Sequence, residues 1–377
     1  MALPRSRYVH EGQEGVYHCF SRCVRRAFLY GFDAVTGRDF SHRKAWLVDR
    51  LRHLAAVFAI EVCAYAVMLN HWHAILRTRP DIVATWTDRE VATRWLTLFP
   101  RHRNVDGSAN PPTEEDICVL TGCPERIAVL RRRLCSLSWF MGRMNEFMAR
   151  AANREDEVKG RFWEGRFKCQ ALLDDVAIVG CMVYVDLNPI RAGQAATPEG
   201  SDFTSIQERI RAWQRERMAT ASGEGAGALG TGSVGMEMEE AGEIRRADAA
   251  SDTERSDCAD GAAVTADWLC PIESGLGRRG ILQMSAAEYF ELVDRSGRLL
   301  RSDKRGGIDA ELAPILVRIG ARPEAWLDTI SQFGSRFRLA AGLISSLRDF
   351  ADQIGNRWLK GIGAARAAFA PPLPQSA

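Results

Sequence analysis

Two histidines one residue apart, in Asn70-His71-Trp72-His73, are the first residues of this chain whose types and spacing could do chemistry. Residues two apart on a strand point to one face, so His71 and His73 would hold two imidazoles side by side, spaced to share one cation. The plainer reading, two unconnected core or surface histidines, stands unless further donors join them. Much later, Met182-Val-Tyr184-Val-Asp-Leu-Asn188-Pro189 supplies candidates. On a helix Tyr184 and Asn188 are i and i+4 and share a face. A tyrosine hydroxyl beside a metal site can act as a covalent nucleophile, and an amide oxygen can be a third, hard ligand for Mg2+ or Mn2+. Without the histidines, the pair would be a core tyrosine and a helix-terminal asparagine before proline.

A third group is cationic and aromatic together. Arg161-Phe162-Trp163-Glu-Gly-Arg166-Phe167-Lys168 follows Arg131-Arg132-Arg133, Arg143 and Arg150; eleven basic residues lie between Arg126 and Lys168 against five acidic ones. Cations interleaved with rings suit single-stranded nucleic acid, with charge for phosphates and ring faces for unstacked bases. A charge run alone is more often a solvated helix face, and Trp163 serves equally as a stacking platform or a core residue.

The elements that must position these residues follow from periodicity. Residues 14–30 alternate as a strand, and Ser41 is a cap before an apolar-periodic helix through Trp46, Leu47, Leu51, Leu54 and Phe58. Ala59–Met68 reads as a second strand, Leu69-Asn70 as a turn and His71–Thr78 as a third strand. Residues 79–125 resemble an insertion or lid. A long helix is predicted from Pro124 to about Asn153, a strand over Arg161–Leu172, and a helix from Asp174 to Asn188 ended by Pro189. Further helices are expected behind a Ser285-Ala-Ala-Glu288 capping box and over Asp309–Ile319, Pro323–Phe333 and Phe337–Ile354.

Composition sets the outer limits. The 377 residues are 46% hydrophobic and 26% charged, near the globular average, which argues against disordered, collagen-like or coiled-coil chains. No signal-peptide core and no membrane-length apolar stretch is present, so a cytoplasmic protein without membrane contact is expected. The ten cysteines include no C-x-x-C pair and lie mostly in apolar runs, which predicts reduced, buried thiols. Net charge is only +2, but from Ser222 to Asp260 ten acidic residues face three arginines in a Gly/Ala-rich stretch. That stretch, roughly 216–265, reads as a disordered linker masking a basic first half. Three parts are expected: 1–200 carrying the chemistry, 201–265 comprising a helix end and the linker, and a small helical domain over 266–377.

Asn70-His71-Trp72-His73 after AYAVM, then Trp163-x-x-Arg166-Phe167, then Tyr184-x-x-x-Asn188-Pro189-x-Arg191-Ala-Gly193 resemble, in that order, the HUH single-tyrosine transposases, and within them the REP-associated tyrosine transposase group. The resemblance covers roughly residues 14–200. It implies an α+β fold: an antiparallel sheet of ferredoxin-like topology with helices on one face. The histidine pair would sit on a central strand and the tyrosine on a helix beside it. Tyr184 would be the nucleophile, with His71, His73 and Asn188 as ligands of Mg2+ or Mn2+. The segment after the linker departs from the short members of the group.

The function so implied is a metal-dependent single-strand DNA transposase and endonuclease, cutting and rejoining hairpin-bearing DNA through a 5′-phosphotyrosine. Its partner is single-stranded or hairpin DNA, with monomer and homodimer both left open. Arg161, Arg166 and Lys168 are candidate phosphate contacts, as are Arg132 and Arg143 before them, and Trp163 is a candidate for stacking. Arg301, Lys304 and Arg305 form a second basic loop that could grip flanking duplex. Two other classes fit parts of the pattern: a non-cleaving hairpin-binding regulator, and a metal-dependent phosphoesterase in which water attacks.

Overall fold

The computed structural model describes residues 4–24, 30–33, 37–105, 107–225, 266–275, 277–300, 312–319 and 321–369. Its central strand, β1 (Gly15–Arg22), is followed by α1 (His42–Val57), β2 (Ile60–Val67) and β3 (His71–Thr78). Helices α2 (Pro80–Thr85), α3 (Asp88–Leu98), α4 (Glu114–Thr121), α5 (Pro124–Leu134) and α6 (Leu137–Glu155) come next, then β4 (Lys168–Leu172), α7 (Asp175–Asp186), α8 (Asn188–Arg191) and α9 (Ser205–Gly225). Past the undescribed stretch lie α10 (Ala286–Leu300), α11 (Leu312–Arg318), α12 (Pro323–Arg336), β5 (Ala340–Ala341), α13 (Ile344–Gln353) and α14 (Ile362–Ala368).

The sheet order is β2-β3-β1-β4-β5, with the first four strands antiparallel and β5 parallel to β4. Register sets His73 opposite Phe20, and His18 opposite Gln170. Side chains alternate across a strand, so His18 and Ser21 point to opposite faces of β1. Ser21 accepts a hydrogen bond from Asn145 of α6 at 2.9 Å, whereas His18 meets Tyr184 of α7 edge-on at 5.8 Å. Helix α1 packs with α6. Helices therefore cover both faces of the sheet, and the expectation of helices on one face is corrected. The sequence carried the reason: β2 is an almost unbroken apolar run, IEVCAYAV, rather than an alternating one, as a strand buried on both sides requires.

Other boundaries also move. The helix predicted from Pro124 to Asn153 is broken at Cys135-Ser136 into α5 and α6. Only Lys168–Leu172 of the predicted 161–172 strand pairs as a ladder; ahead of it lies one isolated bridge, Cys23 to Trp163. Residues 79–125 are not a lid: Val83, Val91, Leu96, Ile117 and Leu120 are buried in the same core as the sheet. Ser41 precedes α1 without a side-chain cap bond. Phe337 is extended, and the chain forms β5 before α13 instead of one helix over 337–354. Helix α9 runs to Gly225, into the stretch expected as linker; the remainder of that stretch, 226–265, lies outside the described residues. The Ser285–Glu288 capping box forms as predicted, each residue bonding the other's backbone N–H.

The C-terminal segment completes the sheet at both sides. Leu269 bridges Val62 of β2, the Cys270 N–H donates to the Val62 carbonyl at 2.8 Å, and β5 pairs with β4 at the opposite edge. Both edges are thereby covered in part. Its helix α12 packs on α7 and shares one apolar core with it.

Candidate active site

Helix α7 is positioned from both ends. Asp174 caps it, accepting from the Ala177 N–H at 3.1 Å, and its other oxygen accepts from the Leu343 N–H at 2.6 Å. Its residues Val176 to Val183 are all buried, because the sheet lies on one side and α12 on the other. Asn188 does not end this helix as expected. It opens α8, with Pro189 in the first turn, where a missing N–H costs nothing, and left-handed Gly193 (φ 69°) just past its end.

The predicted histidines and tyrosine come together. The His71 and His73 rings are 4.9 Å apart by centroid, and Tyr184 lies edge-on to His73 at 5.8 Å. Nδ1 of His71 is 2.6 Å from Oδ1 of Asn70, and Nδ1 of His73 is 2.9 Å from Nε2 of His18. Each ring is thus tied through Nδ1. His73 Nε2 is buried with no hydrogen-bond partner among the described residues. Burial lowers the pKa of His71 to about 4, helped by nearby Arg22, and pushes His73 well below its usual value, helped by His18 and His71. Both rings are neutral at physiological pH, the form that binds a cation.

Tyr184 is half-buried, and burial raises its phenol pKa. Arg191 and Asn188 lie near enough to its hydroxyl to work against that rise. The Arg191 guanidinium sits 4.7 Å above the Tyr184 ring, donates to Asn188 Oδ1 at 3.1 Å, and also donates to the Ser331 carbonyl of α12. Asn188 Nδ2 is buried without a partner among the described residues.

The donors fit a divalent cation of the expected kind. Two neutral imidazoles face one side of the sheet, each anchored through Nδ1, and an amide oxygen lies on the adjoining helix. Among the described residues no group of three or more His, Cys, Asp or Glu gathers as a metal cage.

The expected DNA contacts divide. Arg161, Arg166 and Lys168 are exposed, and Lys168 lies on the strand beside Phe20, 5.5 Å from its ring. Trp163 is a packing residue: it is 8% exposed, meets Phe162 edge-on, and donates its indole N–H to the Asn145 carbonyl at 2.8 Å. Of the two roles expected for Trp163, stacking and core packing, its burial fits the second. Arg143 pairs with Glu146 and lies over Phe99 and Trp139, and exposed Arg132 is on α5, packed among α2, α3, α4 and α6; neither is brought to the histidines. Arg301, Lys304 and Arg305 lie outside the described residues.

His18 and Arg191 were missed as site residues. His18 is a buried polar residue between Tyr17 and Cys19 of β1, and that local discord was the available signal. Arg191 stood within a quoted motif, one helical turn past Asn188.

No protein-family model and no curated protein matches the chain. Among solved structures, the chain is similar to that of a REP-associated tyrosine transposase bound to a REP hairpin. The identity is 13% and the TM-score 0.30, over 56% of this chain and 86% of that one. No helix among the described residues is long and apolar enough to cross a membrane.

Proposed function

We propose that this chain is a tyrosine-nucleophile enzyme acting on single-stranded DNA, and more narrowly a REP-associated tyrosine transposase cutting and rejoining hairpin-bearing DNA. The observation that carries this reading is the convergence of His71, His73 and Tyr184 on one face of the sheet, with Arg191 lying over the tyrosine ring and donating to Asn188. The order of the three sequence blocks supports it independently. His71 and His73, with Asn188, would hold Mg2+ or Mn2+, which when bound would offset charge on the scissile phosphate's oxygens.

The residues do the rest. Arg191, spanning Asn188, Tyr184 and α12, holds the phenol in place. Tyr184 Oη attacks phosphorus in line and gives up its phenol proton to solvent, forming a P–O bond as the bond to the 3′ oxygen breaks. The departing oxygen takes one proton back from solvent as a 3′-hydroxyl, so no net proton is exchanged. The 5′-phosphotyrosyl ester conserves the energy of the cut bond, so a 3′-hydroxyl can attack it later and rejoin strands without ATP. Exposed Arg166 and Lys168 would contact the backbone of the strand.

A 3′-end-labelled hairpin oligonucleotide with Mn2+ tests this. The expected result is a covalent protein–DNA adduct that chelation abolishes and that Tyr184→Phe eliminates while DNA binding persists. An adduct surviving in Tyr184→Phe removes the nucleophile assignment. Turnover without adduct would favour a phosphoesterase, and binding without cleavage a regulator.

A further inference from the structure

The histidine that receives the bond from His73 is 1% exposed and reaches further into the sheet. His18 Nδ1 is 3.4 Å from Oε1 of Gln170, its register partner on β4, while His18 Nε2 is 2.9 Å from Nδ1 of His73. Gln170 is 3% exposed, and the His18 and His73 rings stack at 5.1 Å. The direction of this chain is set by its first member. The Gln170 carbonyl oxygen can only accept, so His18 Nδ1 carries the proton and donates. A neutral imidazole bearing its proton on Nδ1 has an unprotonated Nε2, so His18 can only accept from His73. His73 must then carry its own proton on Nδ1, leaving a lone pair on Nε2. That atom is the one buried without a partner.

We propose that His18, oriented by Gln170, is a positioning residue that fixes His73 in the Nδ1–H tautomer and presents its Nε2 lone pair to a divalent cation. This rests on the metal reading of the site above and adds the residues that prepare one ligand. His71 is prepared differently, through its own neighbour Asn70, so the two ligands have independent supports. A hydrogen-bonded chain from the Gln170 amide on β4 through the rings on β1 and β3 holds the ligand geometry before any ion arrives.

The test uses the full-length protein and Mn2+ alone, with affinity measured by calorimetry. His18→Phe keeps an aromatic ring but offers no acceptor; it is expected to lose about 10–100-fold in Mn2+ affinity. His18→Gln, whose amide oxygen can take the His73 proton, is expected to recover most of that loss. His71→Ala is the control for the site itself. If Mn2+ does not bind the unsubstituted protein, the metal reading fails and this inference with it. If His71→Ala loses Mn2+ and His18→Phe does not, the inference fails and the metal reading stands. A second measurement needs no variant: imidazole 15N shifts of the chelated wild-type protein are expected to show His73 protonated at Nδ1. Protonation at Nε2 overturns the proposal whatever the variants do.

Discussion

A methyl group placed on Gly334 of α12 would come within 3.1 Å of the Tyr184 hydroxyl oxygen. The C-terminal helix therefore lies directly against the proposed nucleophile, with Phe333 tilted on the tyrosine ring at a centroid distance of 6.0 Å. Gly334→Ala should leave stability unchanged or slightly raised, since alanine improves helix propensity by about 1 kcal/mol. It should also displace the phenol by a few tenths of an ångström, slowing adduct formation on the order of tenfold. Melting temperature and single-turnover adduct rates, measured together, check this. An unaltered rate would show that the attacking oxygen does not occupy this position.

Asp186, two residues past the tyrosine on α7, is fully buried and accepts from the Ser205 and Tyr289 hydroxyls, both at 2.6 Å. Burial, opposed by those hydroxyls and by Arg209, raises its pKa from 3.8 to about 6. The folded chain thus favours the protonated form more than the unfolded chain does. This carboxyl contributes its stability in full below pH 3.8 and loses it as pH rises through about 6. The difference is on the order of 3 kcal/mol. Urea unfolding of chelated protein from pH 4 to 7 should show wild type weakening relative to Asp186→Asn across that window. Parallel stability profiles would refute it.

Much of the site was legible because period-2 alternation fixes which strand residues share a face, and i, i+4 spacing does the same on a helix. Alternation alone set His71 and His73 on one face, whereas Asn188, expected on the tyrosine's helix, opens α8 instead. What could not be read was the third dimension. The register that sets His18 beside His73 depends on pairing between segments far apart in sequence, which local pattern does not encode. Trp163 shows the converse limit: a ring flanked by cations reads the same whether it faces solvent or Asn145. The all-round apolar surface of α7 went unread, and α12 packed on its outer side is the reason for it.

Trp163 offers a direct contrast between packing and stacking. Trp163→Leu removes the indole N–H from the Asn145 carbonyl and shrinks a buried side chain, so it should destabilise the fold on the order of 3 kcal/mol. Single-stranded DNA affinity, measured where the variant remains folded, should stay within about twofold. Loss of a stacked base would instead cost about 1–3 kcal/mol of binding. A fold of undiminished stability with weakened binding would restore the stacking role.

Electrostatic contacts can be separated from structural cations by their salt dependence. Lys168 and Gln170 alternate on the same face of β4, so Lys168 shares the face of His18 and His73, and Arg166 is exposed just ahead of it. A cation that neutralises a phosphate releases a condensed counterion, and removing it lowers the slope of log K against log salt by about 0.7 for single strands. Arg166→Ala and Lys168→Ala should each lower the slope by about that amount and weaken binding uniformly across sequences. Arg143 is already engaged by Glu146 and by the Phe99 and Trp139 rings, so Arg143→Ala should leave the slope intact and cost about 1 kcal/mol or less of stability. Fluorescence anisotropy with a hairpin oligonucleotide at several KCl concentrations distinguishes the two groups. A slope reduced by Arg143→Ala and not by Lys168→Ala would put the DNA on the α6 face, opposite the tyrosine, and would leave Tyr184 unable to reach the bound strand.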